Sequence, residues 1–246
     1  VKKVAILGFA ESYREAPFDD PSVHIAGMNE LWRYLPRWDS WFEMHPRAIF
    51  AEHGNRDQAA HLAYLQGLDG SRPVYMLEAH SDIPGSRAYP INEVTLGVFP
   101  RHVGAYFTST VSFMLALAIY QKAEWIGLYG IDLASDTEYT QQRAATEYLI
   151  GLAHGMGIEV HVATGSALMK SGRIYGYSQS VHGQGFRAVV ERRVADLKTK
   201  HEQTLSLVNT LEGALEEAHF HLKMLDAEER GVSLMADHGA LKGVRS

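Results

Sequence analysis

Three consecutive hydroxyls, Thr108-Ser109-Thr110, stand at the head of a long apolar run, and Gly130-Ile131-Asp132 closes the next one. A hydroxyl just before a helix-forming stretch is a good N-cap, because its oxygen accepts from the unpaired N–H groups of the first turn. Capping uses one of the three. The others add donors where the helix dipole already favours negative charge, which suits an anion such as a phosphate. Asp132 would accept hydrogen bonds from ligand hydroxyls or brace the loop beyond it. Gly8-Phe9-Ala10-Glu11-Ser12 is a second signal: a glycine turn ends an apolar run and carries a hydroxyl, Ser12, into the next element. Asn29 and His45 hold the corresponding places after the second and third apolar runs, as caps or as contacts to a shared ligand. Arg143 and Glu147, four residues apart, share a helical face. They make either a plain ion pair or a functional one. In the second case the planar guanidinium grips a phosphate or carboxylate, and Glu147 orients it or takes a proton.

The elements that must position these residues are legible as alternating patterns. Short apolar runs at residues 4–7, 23–27, 40–45, 73–77, 125–129 and 157–163 read as strands. Helical spacing at 29–35, 58–68, 110–122 and 141–156 supplies the connections, and the stretch 78–104, punctuated by proline and glycine, reads as a long loop. Strand and helix alternate, so the expected fold class is α/β with a doubly wound, mostly parallel sheet. In such sheets ligands bind beyond the carboxyl ends of the strands, where the residues named above would sit.

Composition sets bounds on the chemistry. The chain of 246 residues has no cysteine, which removes disulfides, thiolate metal ligands and a cysteine nucleophile. A formal charge of −6 argues against a surface that coats nucleic acid, although residues 187–200 hold a local basic patch. The opening VKKVAILGFA has charge before an apolar run, but about six residues fall short of a signal-peptide core, so a first strand is expected. No apolar run reaches the roughly 20 residues of a membrane span, and a cytoplasmic setting is expected. No Asp-x-Asp occurs, and Asp132 with Asp136 is the nearest substitute, so no metal and no other cofactor is expected. The G-x-G-x-x-G and Walker A patterns are absent as well.

Beyond about residue 185 the pattern changes. Val194, Leu197, His201, Thr204, Val208, Leu211, Leu215, Ala218, Leu222 and Leu225 recur at alternating steps of four and three, a heptad seam over about five heptads. Such a seam needs a partner, so a coiled-coil homo-oligomer is expected. The expected organisation is a domain over residues 1–185, a coiled-coil helix over 186–230 and a loose tail over 231–246.

The segments KKVAILGFAES, HIAGMNELW, FEMHP, FTSTVSFMLALAIYQKAEWIGLYGID and IEVHV resemble, in order and spacing, the bacterial sialyltransferases that use CMP-sialic acid. The resemblance spans about residues 1–162. It implies a Rossmann-like domain whose nucleotide pocket is lined by Gly8, Ser12, Asn29, His45, Thr108, Ser109, Gly130 and Asp132, and the hydroxyl cluster adds Thr110 as a nucleotide-binding candidate. The chain departs from the family at three places: Phe9 replaces an Asn, His45-Pro46 an Asn-Pro, and Thr108-Ser109-Thr110 a Thr-Ser-Gly. The family's catalytic histidine follows Gly-Ile-Asp in a segment rebuilt here. The stretch SDTEYTQQRAATEYLIGLAHGMGIEV resembles segments of phage-encoded proteins.

The expected function is therefore a nucleotide-sugar-dependent glycosyltransferase acting on an acceptor hydroxyl, with Glu147 or a histidine as base and Arg143 on the leaving phosphate. A phage-encoded chain would have a hydroxymethylated DNA base as an acceptor to expect, in the host cytoplasm, with nucleic acid as a partner. Two rivals share the same residues. One is phosphoryl or pyrophosphoryl transfer in the same pocket; the other is a non-catalytic assembly protein whose working part is the coiled coil.

Overall fold

In the computed structural model, residues 2–51, 56–133, 137–169 and 184–229 are described. The strands are β1 (Lys3–Leu7), β2 (Val23–Met28), β3 (Ser40–Glu43), β4 (Val74–Met76), β5 (Ser86–Ala88), β6 (Trp125–Tyr129) and β7 (Glu159–Val162). The helices are α1 (Arg47–Ala51), α2 (Arg56–Gln66), α3 (Ile91–Val98), α4 (Thr110–Tyr120), α5 (Thr137–Gly155) and α6 (Gln184–Glu229). Short 3-10 turns follow β1 and β2, at Glu11–Glu15 and Asn29–Arg33.

The strands form one sheet in the order β5-β4-β3-β2-β1-β6-β7, and every pairing is parallel. The chain builds outward from β1 to β5, then returns to lay β6 on the other side of β1. The order therefore reverses between β1 and β6, and the fold is the doubly wound, Rossmann-like α/β class. Alternation along each strand feeds two apolar layers. Val4, Ile6, Ile126 and Leu128 pack with α3, α4 and α5, while Ala5, Leu7, Ile25 and Trp41 pack on the other face with Leu65 of α2. Met114 through Ile119 of α4 are buried without a break, as a helix covered on all sides requires.

Two expectations need correction. The stretch 78–104 is not a loop: it carries β5 and α3. Proline at 84, 90 and 100 reads as punctuation, yet Pro90 sits at the N-cap of α3, where a missing N–H costs nothing, and Val94 and Val98 make its buried face. The expected helix at 29–35 is only a 3-10 turn.

The chain divides into two compact units, Val1–Phe186 and Arg187–Ser246. α6 is one unbroken helix of 46 residues, about 69 Å long at 1.5 Å per residue. Along it Leu197, Val208, Leu211, Leu215, Leu222 and Leu225 are exposed. The tail after residue 230 lies outside the described residues. Among the described residues no helix is long and apolar enough to cross a membrane.

Candidate functional site

The carboxyl ends of β1 and β6 meet through two glycines. Gly8 N donates to Tyr129 O at 2.8 Å and Ala10 N to Gly130 O at 2.9 Å. A Cβ on Gly8 would lie 2.5 Å from Gly130 O, and one on Gly130 would collide with Gly8 O. Gly130 also has φ +68, a conformation that excludes most side chains. Ser12 closes the crossing, its hydroxyl accepting from Gly130 N at 2.9 Å. Next to this point Phe9 leaves half of its surface exposed, at 50%. The two backbones are therefore in close contact at the reversal point of the sheet, beside an exposed ring.

The hydroxyls at the start of α4 serve the protein first. Ser109 is the N-cap and makes a capping box with Ser112. Ser112 Oγ, fully buried, accepts from Thr108 N at 3.1 Å and Ser109 N at 3.2 Å and donates to Ser109 O at 2.6 Å. The return bond from Ser112 N to Ser109 Oγ is long, at 3.4 Å. Thr108 Oγ1 donates to Gln141 O of α5 at 3.2 Å, tying the two helix starts together. Thr110 opens the helix.

On α5, Arg143 Nε donates to Glu147 Oε1 at 2.8 Å, and the same oxygen accepts from Met169 N at 2.8 Å. Glu147 thus fastens the segment after β7 to α5. Asp132, half-buried, follows β6, and its carbonyl accepts from Ala167 N. Left-handed backbone gathers on this edge of the sheet, at Asn29 (φ 50), Leu133 (φ 42) and Met169 (φ 56), conformations that persist only where surrounding contacts enforce them.

Beyond β2, Asn29 O accepts from Trp41 Nε1 at 3.1 Å, and Asn29 Oδ1 is buried without a hydrogen bond. Beyond β3 lies a polar network that the sequence reading missed. Glu43, 1% exposed, receives His45 Nδ1 on Oε1 at 2.6 Å and His61 Nε2 on Oε2 at 2.8 Å. Trp32 Nε1 donates to His61 Nδ1 at 3.0 Å. Burial alone would raise the Glu43 carboxyl, but the hydrogen bonds from His45 and His61 outweigh it and hold the group below the usual carboxylate range. A signal was present: a charged residue inside a strand buried on both faces must be paired, and His45 lies two residues on, on the same face.

Every expected site residue therefore falls on the carboxyl edge of one sheet. Gly8, Ser12 and Gly130 touch one another; Thr108 and Ser109 belong to the capped start of α4; Arg143 pairs with Glu147; and His45 pairs with Glu43 rather than with the glycine crossing. Asp136 lies outside the described residues. Among the described residues no cluster of three or more acidic or histidine side chains is arranged to hold a metal ion. A separate cavity of about 170 Å³ lies at the opposite, amino-terminal end of the strands, between His24, Ser40, Phe42 and the last turns of α4.

No family model matches the chain, and no curated protein matches it. Among solved structures it is similar to the sialyltransferase CstII from Campylobacter jejuni in complex with CMP-3FNeuAc. That likeness has 14% identity and a TM-score of 0.43, over 66% of this chain and 80% of that one. It is also similar to the monofunctional alpha-2,3-sialyltransferase Cst-I from Campylobacter jejuni, at 11% identity and a TM-score of 0.43, over 81% of this chain and 96% of that one. At such scores these likenesses assign neither a reaction nor a residue.

Proposed function

We propose that the chain is a nucleotide-sugar-dependent glycosyltransferase that moves a sugar to an acceptor hydroxyl, and that it works as an oligomer joined through α6. The observation that carries the reading is the convergence of separate segments on one edge. The turns after β1, β2, β3 and β6 and the starts of α4 and α5 lie along one carboxyl edge, which includes the point where the strand order reverses. Parallel sheets receive nucleotides at that point. Phe9 offers an exposed ring on which a base stacks, beside the close crossing of Gly8 and Gly130. Asn29 and Asp132 take its polar groups. The amino-terminal end of α4 and Arg143 stabilise the phosphate as it departs. In this reading transfer proceeds without a divalent ion.

Coupled release of the nucleotide from a panel of nucleotide sugars, in the presence of chelator, tests this. Turnover that survives chelator is the expected result. Turnover that appears only with a divalent ion supports phosphoryl or pyrophosphoryl transfer instead. A second reading, a non-catalytic assembly protein, draws on the internal structural uses of Ser12, Ser109 and Glu147 and on the exposed seam of α6. It predicts no turnover and no nucleotide affinity.

A further inference from the structure

A carboxylate in the middle of a parallel sheet is costly unless its charge is paired and hydrogen-bonded. Glu43 is 1% exposed, and its partners are unequal. His61 Nδ1 accepts from Trp32 Nε1, and an indole N–H can only donate. The proton of His61 therefore sits on Nε2, pointing to Glu43 Oε2 at 2.8 Å. In that state His61 supplies a hydrogen bond and no charge. On the other oxygen, His45 contributes its backbone N at 3.2 Å and its Nδ1 at 2.6 Å. Among the described partners of Glu43, His45 is the one placed to balance its charge by becoming an imidazolium. Its side chain is 46% exposed, so the ring bridges a buried anion and the edge where the site residues gather. Strand spacing of about 4.8 Å sets β3 about 10 Å from β1, a distance a nucleotide sugar spans.

We propose that His45 is the acid–base residue of the transfer and that Glu43 is its positioning residue, held in turn by His61 and Trp32. This rests on the glycosyltransferase reading. As the acceptor oxygen bonds to the anomeric carbon, its proton passes to His45 Nε2. The bond between that carbon and the donor phosphate oxygen breaks, its electron pair leaves with the nucleotide, and the imidazolium later returns its proton to water. Glu43 keeps the ring in the Nδ1–H tautomer and stabilises the imidazolium, the division of labour of a carboxylate–histidine pair. Glu147 is the weaker choice, because its Oε1 is already engaged by Arg143 and by Met169 N. Among the described residues, His80 lies across the ring of Phe50 from His61, and Asp82 is bound by Arg47 so that their charges offset.

The test begins with the intact wild-type chain, by nitrogen NMR of its histidine rings. Neutral His45 carries its proton on Nδ1 and His61 carries its own on Nε2. The opposite tautomer at His45 overturns the proposal. In Glu43→Gln the midpoint of the His45 titration falls by about one pH unit or more, and an unchanged midpoint overturns it. With a nucleotide sugar that the wild type turns over, His45→Ala lowers kcat by about 10²–10⁴-fold with little change in KM. Because the base acts deprotonated, the acid limb of the kcat/KM profile moves to lower pH in Glu43→Gln. A His45→Ala enzyme with full kcat and a raised KM makes His45 a binding residue and refutes the proposal while leaving the transferase intact. Absence of turnover of every nucleotide sugar by the wild type defeats the transferase reading itself. If Glu43→Gln does not fold, the wild-type tautomer and the His45→Ala kinetics still decide.

Discussion

The hydroxyl of Ser112 serves three backbone groups at the start of α4 and is fully buried, whereas the cap bond to Ser109 Oγ is 3.4 Å long. Ser112→Ala is therefore expected to cost about 1–3 kcal/mol of stability, and Ser109→Ala less than about 1 kcal/mol. Urea unfolding of both variants checks the order, and a larger loss for Ser109→Ala contradicts it. Glu43 makes a second prediction, with its sign fixed by its depressed folded-state pKa. Its contribution is complete above the unfolded value, near 4.3 for a glutamate, and is lost as pH falls through the folded one. On acidification from pH 6 to pH 3 the wild type should lose more unfolding free energy than Glu43→Gln. The hydrogen-bonded Asp20, Asp69 and Asp82 are also depressed, but they are common to both proteins and cancel in the comparison. At this scale Ser109 was legible as a cap from its place before an apolar run. Ser112 was not, because a serine one turn into an apolar helix carries no mark of the three bonds it makes. His61 was hidden for a related reason: its partners Trp32 and Glu43 lie 29 and 18 residues away.

Strands β1, β2, β3, β4, β6 and β7 were legible as elements because each is a short run rich in apolar residues that ends at a turn, a pattern that burial on both faces demands of the central ones. β5 and α3 were not, because a three-residue edge strand and an eight-residue helix framed by prolines give too short a period to read. α6 was the most legible of all, since its seam repeats over many turns. Thr204, a polar residue on that seam, donates its hydroxyl to Lys200 O at 2.8 Å, which satisfies it within its own helix. Leu205 and Leu207, exposed at 53% and 58%, flank Val208 and widen the apolar stripe. Replacing Leu211 and Leu215 with polar residues is expected to dissociate the oligomer while the melting of the sheet unit stays within about 0.5 kcal/mol of wild type, because surface positions away from the core change little. Light scattering with parallel thermal melts reads both, and a wild-type chain that is monomeric at micromolar concentration contradicts the oligomer.

For the whole molecule, topology explains why residues spread from Gly8 to Glu147 converge. A parallel sheet sends every strand out at the same edge, and the reversal between β1 and β6 parts the connections there. Order along the chain thus becomes order along the edge, which is why single residues after successive apolar runs were informative before any contact was known. The pairing of those residues was not readable in the same way. Ser12 with Gly130, Thr108 with Gln141 and Glu147 with Met169 depend on three-dimensional closure rather than on local pattern. The central claim is that this edge binds a nucleotide sugar, and a thermal-shift panel of nucleotides and nucleotide sugars tests it most directly. A ligand at 100 times its dissociation constant stabilises the folded chain by about 2.7 kcal/mol, which raises Tm by roughly 5–10 °C for a domain of this size. The expected result is such a shift for one nucleotide family, reduced in Phe9→Ala, which removes the exposed ring offered to the base. No shift with any member of the panel at millimolar concentration would contradict the account.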